Sequence, residues 1–311
     1  MTSREHIRNP VEWTADQLWL ASQTVGSLGH SIRGSRDIPL PAVRRINAAD
    51  LKDVLTKGFE DFGAYRSDVI FICLIYPLVG LALAWLTFGY QLLPLLFPLA
   101  SGFALVGPIA AVDLYEMSRR REQGHRISWI DAFGVVRSPG FGAILVLGLV
   151  LVAIFLLWLL AASVIYGLTL GPEPPVSIAS FVRDLFTTSA GWTMIVVGVG
   201  VGFLFALLVL AISVVSFPLL LDRDVGLYSA VSTSVRAVAT NPGPMALWGL
   251  FVAGGLAIGM LPAFLGLIVV LPVLGHATWH LYRKVVRSRL ARHDEVGATL
   301  NRPLLVAVKK E

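Results

Sequence analysis

His276 and His280 stand four residues apart, so a helix carrying them projects both imidazoles from one face, with Pro272 on one side and Lys284 on the other. Asp113 and Glu116 form a second such pair, at a similar expected depth. Two imidazoles and two carboxylates are a donor set for zinc or another divalent ion. The same groups also read as anchors at headgroup level. In that reading Glu116 pairs with Arg120 one turn on, while Tyr115, Trp279 and Tyr282 supply an aromatic belt. A further charged cluster, Asp222-Arg223-Asp224, could face the same side, although a local ion pair at a helix end explains it as well. The chain carries no Walker loop, nucleophile elbow, HExxH or dinucleotide fingerprint in a valid context. No catalytic residue and no enzyme activity are therefore expected. No cofactor is expected either, with a divalent metal at the Asp113, Glu116, His276 and His280 cluster as the alternative. Cys73 is the single cysteine, which rules out an intrachain disulfide and a cysteine-based zinc site.

The elements that must position these residues are membrane spans. The 311 residues are 56% hydrophobic and only 14% charged, whereas soluble domains carry about 25% charged residues. Six apolar stretches, 69–89, 92–114, 141–168, 192–221, 245–263 and 264–282, each approach the roughly 20 residues that cross a hydrocarbon core as a helix. Lys and Arg number 9 before the first stretch, 5 in the second connection, 2 in the fourth and 8 after the last. Arg183 alone falls on the other side. Basic loops stay in the cytoplasm, so both termini are expected there, with the 171–190 segment outside. The N-terminal segment has no pattern of basic start, short apolar core and cleavage site, and the first span is expected to direct insertion. The net charge of +5 is explained by this juxtamembrane bias and does not call for nucleic acid.

Three amphipathic cytoplasmic helices are expected, one before each odd-numbered span. The first places Leu51, Val54, Leu55, Phe59 and Phe62 against Lys52, Asp53, Lys57, Glu60 and Asp61, with Asp50 as its cap. The second carries Trp129, Ile130, Phe133 and Val136 after Ser128, and the third carries Leu227, Val231, Val235 and Val238 before Asn241-Pro242. The even spans end alike: Pro108 then Asp113, Pro218 then Asp222, Pro272 then His276. The expected fold is all-α, a polytopic membrane protein of six spans arranged as three hairpins. Residues 1–41 form a cytoplasmic N-terminal segment, 42–286 the membrane domain and 287–311 a basic cytoplasmic tail. A short amphipathic helix around Phe181 and Leu185 is expected on the outer surface.

Small residues four apart, Gly198 with Gly202 and Gly255 with Gly259, allow close helix packing within one bundle or between copies. The span centres hold no Asp, Glu, Lys, Arg or His, which argues against ion-coupled transport. The function expected is a non-catalytic accessory or scaffold in the membrane. A permease for a small or amphiphilic solute is the alternative, and a metal-dependent function at the inner ends of spans two and six is a third. Expected partners are the lipid bilayer and a membrane-protein partner or a second copy of the chain.

The wording of several segments carries a family resemblance. Val43-Arg44-Arg45-Ile46, Leu74-Ile75-Tyr76-Pro77 and Tyr115-Glu116-Met117-Ser118-Arg119-Arg120-Arg121 resemble the DUF2189 integral membrane proteins. So do Ser216-Phe217-Pro218-Leu219-Leu220-Leu221-Asp222-Arg223-Asp224 and Gly275-His276-Ala277-Thr278-Trp279-His280-Leu281-Tyr282. The resemblance runs over 42–286. It implies a bacterial inner-membrane protein of an uncharacterised family and brings no activity or site residues with it.

Overall fold

Proline and glycine set most of the helix boundaries. The computed structural model describes residues 40–89, 92–124, 135, 138 and 140–286. Among these the chain is helical throughout, apart from one isolated antiparallel bridge between Val43 and Val286. Helix α1 (Ala48–Cys73) begins at a reciprocal cap: Asn47 accepts the Asp50 N–H, and Asp50 accepts that of Asn47, each at 3.0 Å. Asn47 is thus the capping residue and Asp50 its partner one turn in. After Leu74 the chain resumes as α2 (Ile75–Gly89), so the first amphipathic helix and the first apolar stretch are almost continuous.

The second apolar stretch is broken. A single 3₁₀ turn at Leu93–Leu95 leads into α3 (Leu96–Leu105), α4 (Gly107–Ala110) and α5 (Val112–Glu122). Pro94 and Pro108 both sit in the first turn of the piece that follows a break, where a missing N–H costs nothing. Helix α6 (Phe141–Thr169) is unbroken, and a short amphipathic helix α7 (Ile178–Thr187) follows behind a Ser177/Ser180 capping box. Helix α8 (Ser189–Ser213) runs into α9 (Ser216–Asp222), and α10 (Leu227–Thr240) is the third of the expected amphipathic helices. Helices α11 (Pro242–Met260) and α12 (Leu267–Val285) are joined by a turn in which Ala263 and Phe264 take left-handed φ values of 50° and 66°.

Among the described residues, three runs are long and apolar enough to cross a membrane: Phe141–Thr169, Ser189–Asp222 and Pro242–Met260. Ile75–Phe88 and Leu93–Leu105 are shorter apolar helices, and α12 ends in charged residues. The fold is an all-helical membrane architecture with three candidate spans, coarser than six equal spans in three hairpins. The amphipathic helix expected around 128–136 lies, apart from Val135, outside the described residues, as do segments 1–39 and 287–311.

The core runs from the basic side up between the apolar helices, where Leu147, Leu151, Trp158 and Trp248 are buried. On the basic side Leu51 and Val54 of α1, Phe217 of α9, and Trp279, Leu281 and Tyr282 of α12 are all almost fully buried. The two described amphipathic helices bury most of the expected stripes, Leu51 and Val54 fully and Leu55, Phe62, Leu227, Val231 and Val238 in part, but the buried lines are centred on smaller neighbours. On α1 the buried line is Leu51, Val54, Gly58 and Asp61, while Phe59 is 58% exposed. On α10 it is Ala230, Thr233, Ser234 and Ala237, while Val235 is 42% exposed. In both helices close backbone approach selects small or hydrogen-bonding residues over the largest apolar ones.

Candidate functional site

Gly58 determines how α1 meets α12. A Cβ there would lie 2.7 Å from both the Ala277 Cβ and the Val273 carbonyl oxygen, so no side chain fits and the two helices touch nearly backbone to backbone. Gly275 does the same for α5, since a Cβ there would meet the Leu114 side chain. His276 lies between these two contacts and is fully buried where α1, α5 and α12 converge. One turn beyond Gly58, Asp61 is brought to the same place.

The result is a chain of hydrogen bonds. Ser118 donates to Asp61 Oδ2 at 2.5 Å, His280 Nε2 lies 2.9 Å from the same oxygen, and Arg121 binds Oδ1 at 2.5 Å. His276 Nδ1 lies 2.8 Å from Ser118 Oγ. His276 Nε2 is buried and makes no geometrically formed hydrogen bond among the described residues. Burial pushes the Asp61 carboxyl toward its neutral form. The hydrogen bonds from His280 and Ser118 and the nearby imidazole charge outweigh that and hold it below the usual carboxylate range.

The four residues expected to form a metal cluster are therefore divided. His276 and His280 come together, and α5 meets α12 beside them. The carboxylate they meet is Asp61, which sequence reading placed on the solvated face. Glu116 is only 2% exposed and is saturated by Arg119, through bonds of 2.7 and 2.8 Å, and by Arg120 at 2.7 Å. Asp113 accepts the N–H of Leu114 in the first turn of α5. Among the described residues no group of three His, Cys, Asp or Glu side chains is arranged to hold a metal ion. The anchor alternative also needs correcting, because Tyr115, Trp279 and Tyr282 are buried in protein, at 2%, 1% and 0% exposure, and do not form a belt facing lipid.

Asp222 makes the expected local pair with Arg223 at 3.3 Å, and it also accepts the Tyr282 hydroxyl at 2.5 Å, while Asp224 is exposed. Asn241, at the end of α10, was not singled out from sequence. Its side chain accepts the Ile46 N–H at 2.8 Å and donates to the Arg44 carbonyl at 3.1 Å. Arg44 N–H in turn bonds Val285 at 2.7 Å, which ties residues 43–46 to the last helix. The Asn241-Pro242 helix stop was the available signal, although its reach across 195 residues was not legible.

The glycine pairs pack within the chain where they touch anything. Gly202 faces Trp158, Gly255 faces Val270 and Gly259 faces Leu267, whereas Gly198 meets nothing within 4 Å.

On the other side of the α5–α12 pair from Asp61 lies an elongated cleft of about 500 Å³ among α3, α4, α5, α8, α11 and α12. None of its lining residues is charged. Apolar side chains such as Phe103, Phe203 and Leu256 line the end near mid-membrane. The hydroxyl-bearing residues Tyr115, Ser213 and Thr278 gather at the end nearer the basic side.

Apolar helices of membrane-crossing length and an uncharged cleft between them define an integral membrane protein. Residues 96–222 match the DUF2189 family, described as a predicted integral membrane protein, and the resemblance is thereby shown over that segment. It is shorter than the 42–286 over which the sequence resembles the family. No curated protein and no solved structure matches the chain.

Proposed function

We propose that this protein is a non-catalytic accessory of the inner membrane of a bacterium that holds an amphiphile in the cleft between its spans, with both termini in the cytoplasm. The cleft carries this reading. Its volume of about 500 Å³ falls within the roughly 300–1,000 Å³ typical of ligand sites. Along α11 its lining runs from Pro242 to Leu256, about 20 Å of helix rise and so an extended shape suited to an alkyl chain. Span centres without ionisable residues favour holding over ion-coupled transport. The clustering of Lys and Arg on one side supports the orientation.

Native mass spectrometry of the protein released from mild detergent tests the proposal. A lipid adduct on the wild type that is lost in Gly249→Trp, which fills the cleft from α11, is the expected result. A wild type with no retained amphiphile would end the reading.

A further inference from the structure

We infer that α7 lies in the plane of the membrane and inserts Ile178, Val182 and Phe186 into the leaflet away from the basic network, so that the partner of this surface is lipid.

Helix α7 joins the ends of α6 and α8 that lie away from the Asp61 network, and it is fixed across both. Gly191 admits it: a Cβ there would collide with the carbonyl oxygens of Asp184 and Leu185, so the last turn of α7 meets the first turn of α8 backbone to backbone. Nearer its start, Phe181 packs edge-on against Tyr166 of α6, with ring centroids 6.5 Å apart. The Tyr166 hydroxyl donates to the Glu173 carbonyl at 2.6 Å, which ties the incoming loop to the same place.

At about 100° per residue, α7 divides into three faces. Phe181 and Leu185 share one that is partly buried. Ser180, Arg183, Asp184 and Thr187 form the polar face. Between them Ile178, Val182 and Phe186, spaced four apart, make an apolar flank that is about half exposed. The apolar pattern of the sequence joins both groups in one stripe, of which the hairpin covers only one edge.

What covers the flank follows from what it runs into. Phe186 meets Trp192 edge-on, with 6.5 Å between ring centroids, and its carbonyl accepts the Trp192 indole N–H at 3.1 Å. From Trp192 an exposed stripe continues along α8 through Val196, Val199 and Phe203, one residue per helical turn. This run is long and apolar enough to span and is almost unburied, so hydrocarbon surrounds it. The α7 flank is the far end of the same surface. Trp192 at the junction fits this placement, because an indole sits where acyl chains give way to headgroups. In water the flank would keep three large apolar side chains hydrated beside a phase that takes them up favourably. The polar face sets Arg183 beside Asp184, so net charge does not draw the helix to anionic lipid.

Fluorescence quenching tests this. Val182→Cys and Thr187→Cys, each in the full chain with Cys73→Ala, are labelled with NBD and reconstituted into phosphatidylcholine nanodiscs. Iodide in the water is expected to quench the Val182→Cys label at least about fivefold less than the Thr187→Cys label, and phosphatidylcholine brominated in its acyl chains to quench mainly the former. The pattern should persist when part of the lipid is anionic. Equal quenching of both labels by iodide would put the flank in water and overturn the inference. Protection of the Val182→Cys label from iodide and from brominated lipid alike would put protein on the flank, such as a second copy of the chain, and would also overturn it. So would protection that appears only with anionic lipid. Ile178→Cys carries the same test should Val182→Cys not fold.

Discussion

The basic side of this molecule and the opposite half of its membrane region are held together by different means. On the basic side, α1, α5, α9, α10 and α12 meet through a buried polar network, with close backbone approaches and tryptophan and tyrosine rings enclosed by protein. Across the membrane, the Ser189–Asp222 run has only 6% of its apolar window buried, and residues such as Val196, Phe203 and Leu204 are more than half exposed. Lipid is as apolar as these side chains, so burying them against one another gains little there. Ion pairs between helices are concentrated on the basic side, while the spans bury uncharged side chains such as Leu147, Leu151, Trp158 and Trp248 between them. The difference teaches that the fold is anchored from one face, with the cleft lying just above that anchorage.

If the anchorage lies where this comparison puts it, removing Asp61 should have the largest effect. Asp61→Ala leaves Arg121, His280 and Ser118 without their shared acceptor and is expected to cost about 3 kcal/mol, read as a drop in thermal stability in detergent. A change under about 0.5 kcal/mol would show the network to be incidental.

The same network predicts a pH dependence. The Asp61 carboxyl is held below its ordinary value, so its contribution is fully present above that value and is lost as pH falls through the lowered one. The stability gap between wild type and Asp61→Asn should therefore be constant near neutrality and close only below about pH 4. A gap that closes on going alkaline would contradict the assignment.

Next in size is Gly58→Val, expected to cost about 2 kcal/mol by forcing α1 off Ala277 and Val273. Disulfide formation between cysteines introduced on the two helices, in a Cys73-free background, would report the separation directly. Asn241→Ala follows, at about 1–2 kcal/mol, through loss of the bonds to Ile46 and Arg44. Proteolysis of the segment around residue 44 should accelerate in that variant.

The smallest effects belong to the opposite half and sharpen the contrast within one helix. Gly202→Leu meets Trp158 at 3.1 Å and should cost about 1 kcal/mol. Gly198→Leu, one turn away and facing open space, should change stability by less than about 0.5 kcal/mol. A large loss of oligomer in Gly198→Leu would place a second chain on that face.

Much of the fold was legible because apolar run length and helix period are local properties. The α6, α8 and α11 runs, the short helix α7 and the end of α10 at Asn241 all follow from composition, proline and caps. The pairing of His276 with His280 on one face was equally readable. The partner carboxylate was not. Asp61 sits among Lys57, Glu60 and other polar residues, and alternation alone assigns it to water. Its burial depends on Gly58 admitting α12, a contact between residues more than two hundred positions apart.

By itself, then, the sequence determined that this is a helical membrane protein, which face carries the positive charge and that the span interiors hold no ionisable chemistry. These are consequences of transfer free energies counted residue by residue. Only the tertiary structure decided how far round each amphipathic helix the burial extends, which carboxylate meets the histidines and where the spans part to leave a cleft. Those outcomes are set by close packing between distant segments, where one absent Cβ outweighs several apolar side chains.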